Sequence, residues 1–161
     1  MTFKSFEEFE CWQDARALDN SIYKLTTKNG FERDYKLRDQ ILGATGSIMD
    51  NVAEGFGRSG NREFVRFLTY SKGSADEVKS QLYRALDRTY INQDEFDKNY
   101  AGAEVVSKKL GGLIKYLNNS EYEGPRFKTN ESKTPKPKHQ TRNPKLETRN
   151  PEPETRNPEP N

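Results

Sequence analysis

One cysteine, one histidine and one tryptophan are all that this 161-residue chain holds of those types, and only 31% of it is hydrophobic. Each scarcity closes a class of function. A single thiol, Cys11, excludes an intrachain disulfide and a cysteine-only zinc site, and its place beside Trp12 suits a small hydrophobe on a helix. The lone histidine, His139, falls in a stretch almost without apolar residues, so the folded part has no imidazole to serve as general base or metal ligand. That excludes a di-metal bundle built on Glu-x-x-His pairs and a helical ribonuclease of the Arg-plus-His kind. No metal or other cofactor is expected. No apolar run approaches the ~18 residues a membrane span requires, and the first eight residues lack the apolar core of a signal peptide. The expected setting is the cytoplasm, with no membrane attachment.

What the chain does contain comes in two unlike parts. Charged residues make up 32% of it, and its mean hydropathy of −1.11 is polar for a globular protein. That average mixes a domain over 1–120, rich in periodic apolar residues, with a Pro/Lys/Glu-rich tail over 121–161. In the tail a seven-residue unit beginning Thr141-Arg142-Asn143-Pro144 recurs from Thr148 and again from Thr155. A proline in every unit and almost no apolar residues forbid a coiled coil, so the tail is expected to be disordered. The net charge of +2 lies in the tail and leaves the domain close to neutral. A compact basic domain that holds nucleic acid by charge alone is therefore not indicated.

Within the domain, four apolar stripes recur at helical spacing. The first runs Phe6, Phe9, Trp12, Ala15, Leu18, Ile22 and Leu25, with Ser5 as expected N-cap and Gly30 as stop. Leu37, Ile41, Ala44, Ile48 and Val52 trace a second, with Gly55 placed as a C-cap. A third helix is expected from between Ser59 and Asn61 to about Tyr90. Its apolar positions fan over about 160°, which implies two neighbours: its own bundle and another surface. Asn92 with Glu95 forms a capping box before the fourth stripe, Phe96 to Leu117. With no alternating strand pattern and short connections, the economical solution is an all-α, up-down four-helix bundle.

The corner between the second and third helices, Asn51-Val52-Ala53-Glu54-Gly55-Phe56-Gly57-Arg58, is flanked by small-residue runs, Gly43 to Ser47 and Ser71 to Ala75. Each interior glycine costs a helix about 1 kcal/mol relative to alanine. The expected return is close contact, small face to small face, with Asn51, Glu54, Gly55 and Gly57 building the corner. Glu54, an acid in a last helical turn, needs a cationic or hydrogen-bonding partner, and is expected to brace the corner through Arg58 or Arg62, nearest in sequence, or through backbone N–H groups. Gly55 to Gly60 is no P-loop, having neither a preceding strand nor a terminal Gly-Lys-Ser/Thr. Arg58, Arg62 and Arg66 follow at steps of four, and either pair with acids on a neighbouring helix or meet a polyanion. Lys79, Arg84, Arg88, Lys108 and Lys109 extend that candidate surface. Carboxylates one turn apart, Glu7 with Glu10 and Asp50 with Glu54, are read as solvated or capping acids.

Across these helices the order Trp12-x-x-Ala15, Ile22-Tyr23-Lys24-Leu25, Tyr35-x-Leu37 with Gln40, Ser47-Ile48, Asn51 to Arg58, Phe64-x-x-Phe67-Leu68, Gly73-Ser74 and Glu77 resembles the 23S ribosomal RNA intervening-sequence proteins. That family also takes in the accessory variability proteins of diversity-generating retroelements. The resemblance covers Phe6 to about Leu117. It implies a non-enzymatic bundle assembled as a ring, typically a homopentamer, and, for the retroelement members, a nucleic-acid-binding partner of a reverse transcriptase. Where relatives often carry arginines in the second helix, this chain has Leu42-Gly43, which removes positive charge. The expected function is an oligomeric bundle that binds RNA or DNA as an accessory to a ribonucleoprotein or reverse transcriptase. The alternative is a structural or protein-interaction scaffold without nucleic-acid binding.

Overall fold

The computed structural model describes residues 3–58 and 60–119. The expected disordered tail, with its repeat and His139, lies outside the described residues. Four helices fill the domain: α1 (Glu10–Thr26), α2 (Tyr35–Gly57), α3 (Asn61–Asp87) and α4 (Gln93–Asn118), preceded or joined by 3₁₀ turns at Phe6–Glu8 and Phe31–Arg33. Among the described residues there is no strand. Each helix packs on two neighbours, α1 on α2, α2 on α3, α3 on α4 and α4 on α1, so the α2–α3 side stands opposite the α1–α4 side. This is the expected four-helix arrangement.

The stripes meet as periodicity requires. Ile22, Ile41, Ile48, Val52, Leu68, Val78, Leu82, Val106 and Leu110 have no exposed surface and form the centre of the core. Removing a side chain of this size from water stabilises the fold by about 1.5–3 kcal/mol. At one end Phe31 is fully buried and stacks on Tyr90 at a centroid separation of 5.2 Å. At the other, Phe9 packs against Phe56 and Phe64 at 5.6 and 5.5 Å.

Several boundaries differ from expectation, each for a local reason. Ser5 does not cap α1; Phe6–Glu8 forms a 3₁₀ turn, and α1 starts at Glu10 with Phe9 as its capping residue. The extended backbone of Phe9 turns its ring into the core. Glu7 and Glu10 consequently do not share one helix. Helix α1 ends at Thr26 with Thr27 as its C-cap, so Gly30 is not its stop; with φ of +83° it instead precedes the 3₁₀ turn Phe31–Arg33. Helix α3 stops at Asp87 rather than Tyr90, because Thr89 takes a positive φ of 58° and the Tyr90 amide turns back to the Ala85 carbonyl. The capping box at α4 forms as read, Asn92 accepting from the Glu95 amide at 2.9 Å and Glu95 from the Asn92 amide at 3.1 Å.

Gly55 is not a C-cap. It lies inside α2, which continues to Gly57, and it is buried against α3. A Cβ added there would fall 2.6 Å from Phe67 Cβ and 2.9 Å from Phe64 Cδ2. The close contact expected of the small residues is therefore real at this position. Farther along, hydroxyls and alanines rather than glycines join the two helices. Ser71 Oγ donates to the Ile48 carbonyl at 2.7 Å, Ser74 and Ser47 bond at 3.1 Å, and Ala44 and Ala75 are buried. Gly43, Gly46 and Gly73 point elsewhere, with nothing within 4 Å of an added Cβ.

The broad apolar face of α3 is shared between its two neighbours. Phe64 and Phe67 press on α2 at Gly55, while Tyr83 packs on Phe96 and Tyr100 of α4 at 4.8 and 5.7 Å. Tyr70 and Tyr83 nevertheless stay about half exposed.

Candidate interaction surface

The arginines after the corner do not form one row. Arg58 is the capping residue of α2 with extended backbone, so it does not continue the phase of α3. Its guanidinium bonds the Glu54 carboxylate, lies 3.8 Å from Glu63 and sits over the Phe67 ring at 5.0 Å. Glu54 thus braces the corner through Arg58. Asn51, the other polar corner residue, donates to the Ser47 carbonyl at 2.7 Å. Gly57, with nothing within 4 Å of an added Cβ, faces open space.

Arg62 and Arg66 lie one turn apart on α3 beside Gly60, whose φ is +113°. Arg62 has no ion-pair or hydrogen-bond partner among the described residues. Arg66 donates to the Tyr70 hydroxyl at 2.7 Å and lies over its ring, and that bond holds its guanidinium more firmly protonated.

The remaining candidates are mostly engaged with acids. Lys79 sits between Asp76 at 2.8 Å and Glu104 of α4 at 2.9 Å; these bonds raise its own pKa and lower those of both carboxyls. Arg88, the C-cap of α3, pairs with Asp34, the N-cap of the neighbouring α2, and Arg84 donates to Gln40 Oε1 at 2.9 Å. Lys108 pairs with Glu104 at 3.4 Å, and Lys109 bridges Glu10 at 2.8 Å and Asp14 at 2.7 Å. The structure therefore resolves most of the expected basic surface into ion pairs between and along helices.

Two grooves mark opposite sides of the bundle. On the α2–α3 side a groove of about 610 Å³ is lined by residues that include Gly43, Ser47, Glu77, Ser80, Gln81 and Arg84. Gly43 contributes bare, exposed backbone to its lining. Gln81 is only 8% exposed, and its Oε1 finds no donor among the described residues. A buried acceptor left unpaired costs about 1–3 kcal/mol. On the α1–α4 side a smaller groove, about 250 Å³, is lined by Ala17, Leu18, Ser21, Lys98, Asn99 and Gly102 among others. Asn99, 3% exposed, donates to the Glu95 carbonyl at 2.7 Å but likewise leaves its Oδ1 without a donor.

Sequence reasoning passed over Asp34, Gln81 and Asn99. Asp34 caps α2 by accepting from the Leu37 amide at 3.1 Å, and also takes Arg88 and the Tyr90 hydroxyl; the Leu37 bond first, then Arg88, holds its carboxyl below the usual range. An Asp just ahead of the Leu37 stripe is the signal that could have found it. For Gln81 the signal is a polar residue three positions after Val78 and four before Ala85, on the core stripe itself.

Among solved structures the chain is similar to a protein of unknown function from the S23 ribosomal protein family of Bacteroides thetaiotaomicron VPI-5482. The two are 19% identical with a TM-score of 0.60, over 65% of this chain and 98% of that one. At this identity the likeness is one of fold. No curated protein matches the chain. The family model described as 23S rRNA-intervening sequence protein matches residues 7–112, and with four helices in the expected order over that span, the chain belongs to that family.

Proposed function

We propose that this protein works by assembly. In this reading it is a non-enzymatic helical bundle that forms a homo-oligomer, a pentameric ring on the family expectation, and acts in the cytoplasm as a protein-interaction scaffold. The observation that carries the reading is the bare backbone of Gly43, Gly46 and Gly73. Each of these interior glycines weakens its helix by about 1 kcal/mol, and none is offset inside the protomer, where nothing approaches within 4 Å of a Cβ placed there. Close approach by another chain supplies the missing return. The ion pairs of Arg58, Lys79, Arg88 and Lys109 support the scaffold over nucleic-acid binding, because a cation held by a carboxylate has little charge left for a phosphate.

A second reading, RNA or DNA binding as partner of a reverse transcriptase or other ribonucleoprotein component, is favoured by one observation. Arg62 and Arg66 stand near the start of α3, where helix N–H groups attract anions, and among the described residues neither is in an ion pair, although Glu63 lines the same cleft. Light scattering on the full chain, with and without structured RNA, at low and physiological salt, separates the readings. The scaffold reading expects a fixed multiple of the protomer mass that RNA does not change. A monomer overturns it, and RNA retained at physiological salt favours the second reading.

A further inference from the structure

The turn that joins α1 to α2 holds the one Asn-Gly pair of the chain, Asn29-Gly30. Both residues have positive φ, 57° and 83°, and Asn29 is exposed. Its side-chain amide reaches only the Tyr90 carbonyl, at 3.4 Å, longer than a well-formed hydrogen bond. Neighbouring amides are engaged, Phe31 N–H on the Lys28 carbonyl and Arg33 N–H on the Gly30 carbonyl, both at 3.1 Å, but the Gly30 N–H has no acceptor among the described residues. A glycine nitrogen with neither a hydrogen bond nor a side chain to shield it thus follows an exposed carboxamide. Other asparagines lack that combination. Asn20, Asn51 and Asn99 lie inside helices, where the next amide is committed to the ladder. Asn61 and Asn92 have their side chains held at 2.6 and 2.9 Å. Asn143, Asn150 and Asn157 precede proline, which has no N–H.

We infer that Asn29 is a self-modification site, at which the folded protein deamidates and loosens one end of its bundle. The Gly30 nitrogen gives up its proton to solvent base and attacks Asn29 Cγ; a C–N bond forms, the Cγ–Nδ2 bond breaks and ammonia leaves. Water then opens the five-membered imide at either carbonyl. The product at position 29 is aspartate or, with the main chain rerouted through the side chain, isoaspartate. Asparagine is among the thermolabile residues, and an intramolecular attack is fast where the two atoms are free to meet. Either product sets a new carboxylate beside Lys28, whose ammonium joins this turn to Glu95 of α4. The added charge competes with Glu95 for that ammonium. Isoaspartate also inserts a main-chain carbon just ahead of Gly30 and Phe31, and Phe31 is the fully buried ring that stacks on Tyr90.

The test is incubation of the full chain at physiological temperature and neutral pH, followed by peptide mapping in a mass spectrometer, with a synthetic Thr26–Glu32 peptide as reference. The expected result is a gain of one mass unit confined to the fragment that holds Asn29, at a rate within about tenfold of the free peptide's. Part of the product is expected to accept a methyl group from S-adenosylmethionine when an isoaspartyl methyltransferase is added. Asn29→Gln, which would have to close a less favourable six-membered ring, is expected to abolish the gain. If the folded chain reacts more slowly than that tenfold limit, or the gain persists in Asn29→Gln, the site is overturned. Circular dichroism melting of the aged chain is expected to fall below that of the fresh chain, and equal melting temperatures after conversion overturn the loosening.

Discussion

Gly55 of α2 lies so close to Phe67 of α3 that a Cβ added to the glycine would stand 2.6 Å from the phenylalanine's own. No pair of real side-chain carbons sits so close, so one helix must yield. Gly55→Ala is expected to lose about 1–3 kcal/mol to overpacking, against a gain of at most about 1 kcal/mol in helix propensity. Gly112→Ala is the control. It is exposed on α4 with nothing within 4 Å, and should stabilise the bundle by about 0.5–1 kcal/mol. Urea unfolding of the two variants checks the opposite signs.

The Asp34 carboxyl is held below its ordinary range by the Leu37 amide and Arg88. A lowered folded-state pKa gives stability that is present above the unfolded value, about 3.9, and is lost as pH falls through the folded value. Asp34→Ala should therefore cost about 1 kcal/mol at neutral pH, the usual worth of an N-cap, and the gap to wild type should close in strong acid. Glu95, Asp76 and Glu104 are lowered too, so thermal stability of the wild type should fall on acidification below about pH 4. Melting curves across the acid range measure both.

Burial pushes the Cys11 thiol up to about 11 and leaves it 2% exposed. Thiolate is the reactive form, so the folded protein should resist a disulfide-exchange reagent such as Ellman's at neutral pH. Labelling should occur at the rate of opening and become complete in denaturant. Fast labelling without denaturant would mean that the end of α1 opens on its own.

With Arg62 and Arg66 in no ion pair among the described residues, any RNA retention at low salt should have a shallow salt dependence, a slope near −2 on logarithmic axes at about one counterion per contact. Arg62→Ala with Arg66→Ala should abolish it. Lys79→Ala should leave it unchanged, because that ammonium is held between Asp76 and Glu104. Filter binding over a salt series is the measurement.

What the sequence reveals here depends on how local the cause is. The Asn92–Glu95 box is legible because its partner atoms lie within four residues. The core stripes are legible because helical periodicity is a property of the chain itself. Gly55 is misread because glycine serves two ends, permitting a left-handed cap or permitting contact, and only the position of Phe67 tells them apart. Arg58 is misread because one extended residue at the corner breaks the phase between α2 and α3. The ion pairs Lys79–Glu104, Arg88–Asp34 and Lys109–Glu10 depend on how neighbouring helices are rotated, which no spacing within one helix records. Hence the candidate basic surface was visible as composition, and its neutralisation was not.

Asp34 joins events on two scales. Its bond to Leu37 closes across three residues, whereas Arg88 and Tyr90 are 54 and 56 residues away. The near bond can form as soon as α2 nucleates; the far ones must wait until the whole α2–α3 hairpin has come round and closed that loop. One carboxylate thus ties a contact local in sequence to two distant ones at this end of the bundle. Removing its cap should slow folding, while removing Arg88 should chiefly hasten unfolding.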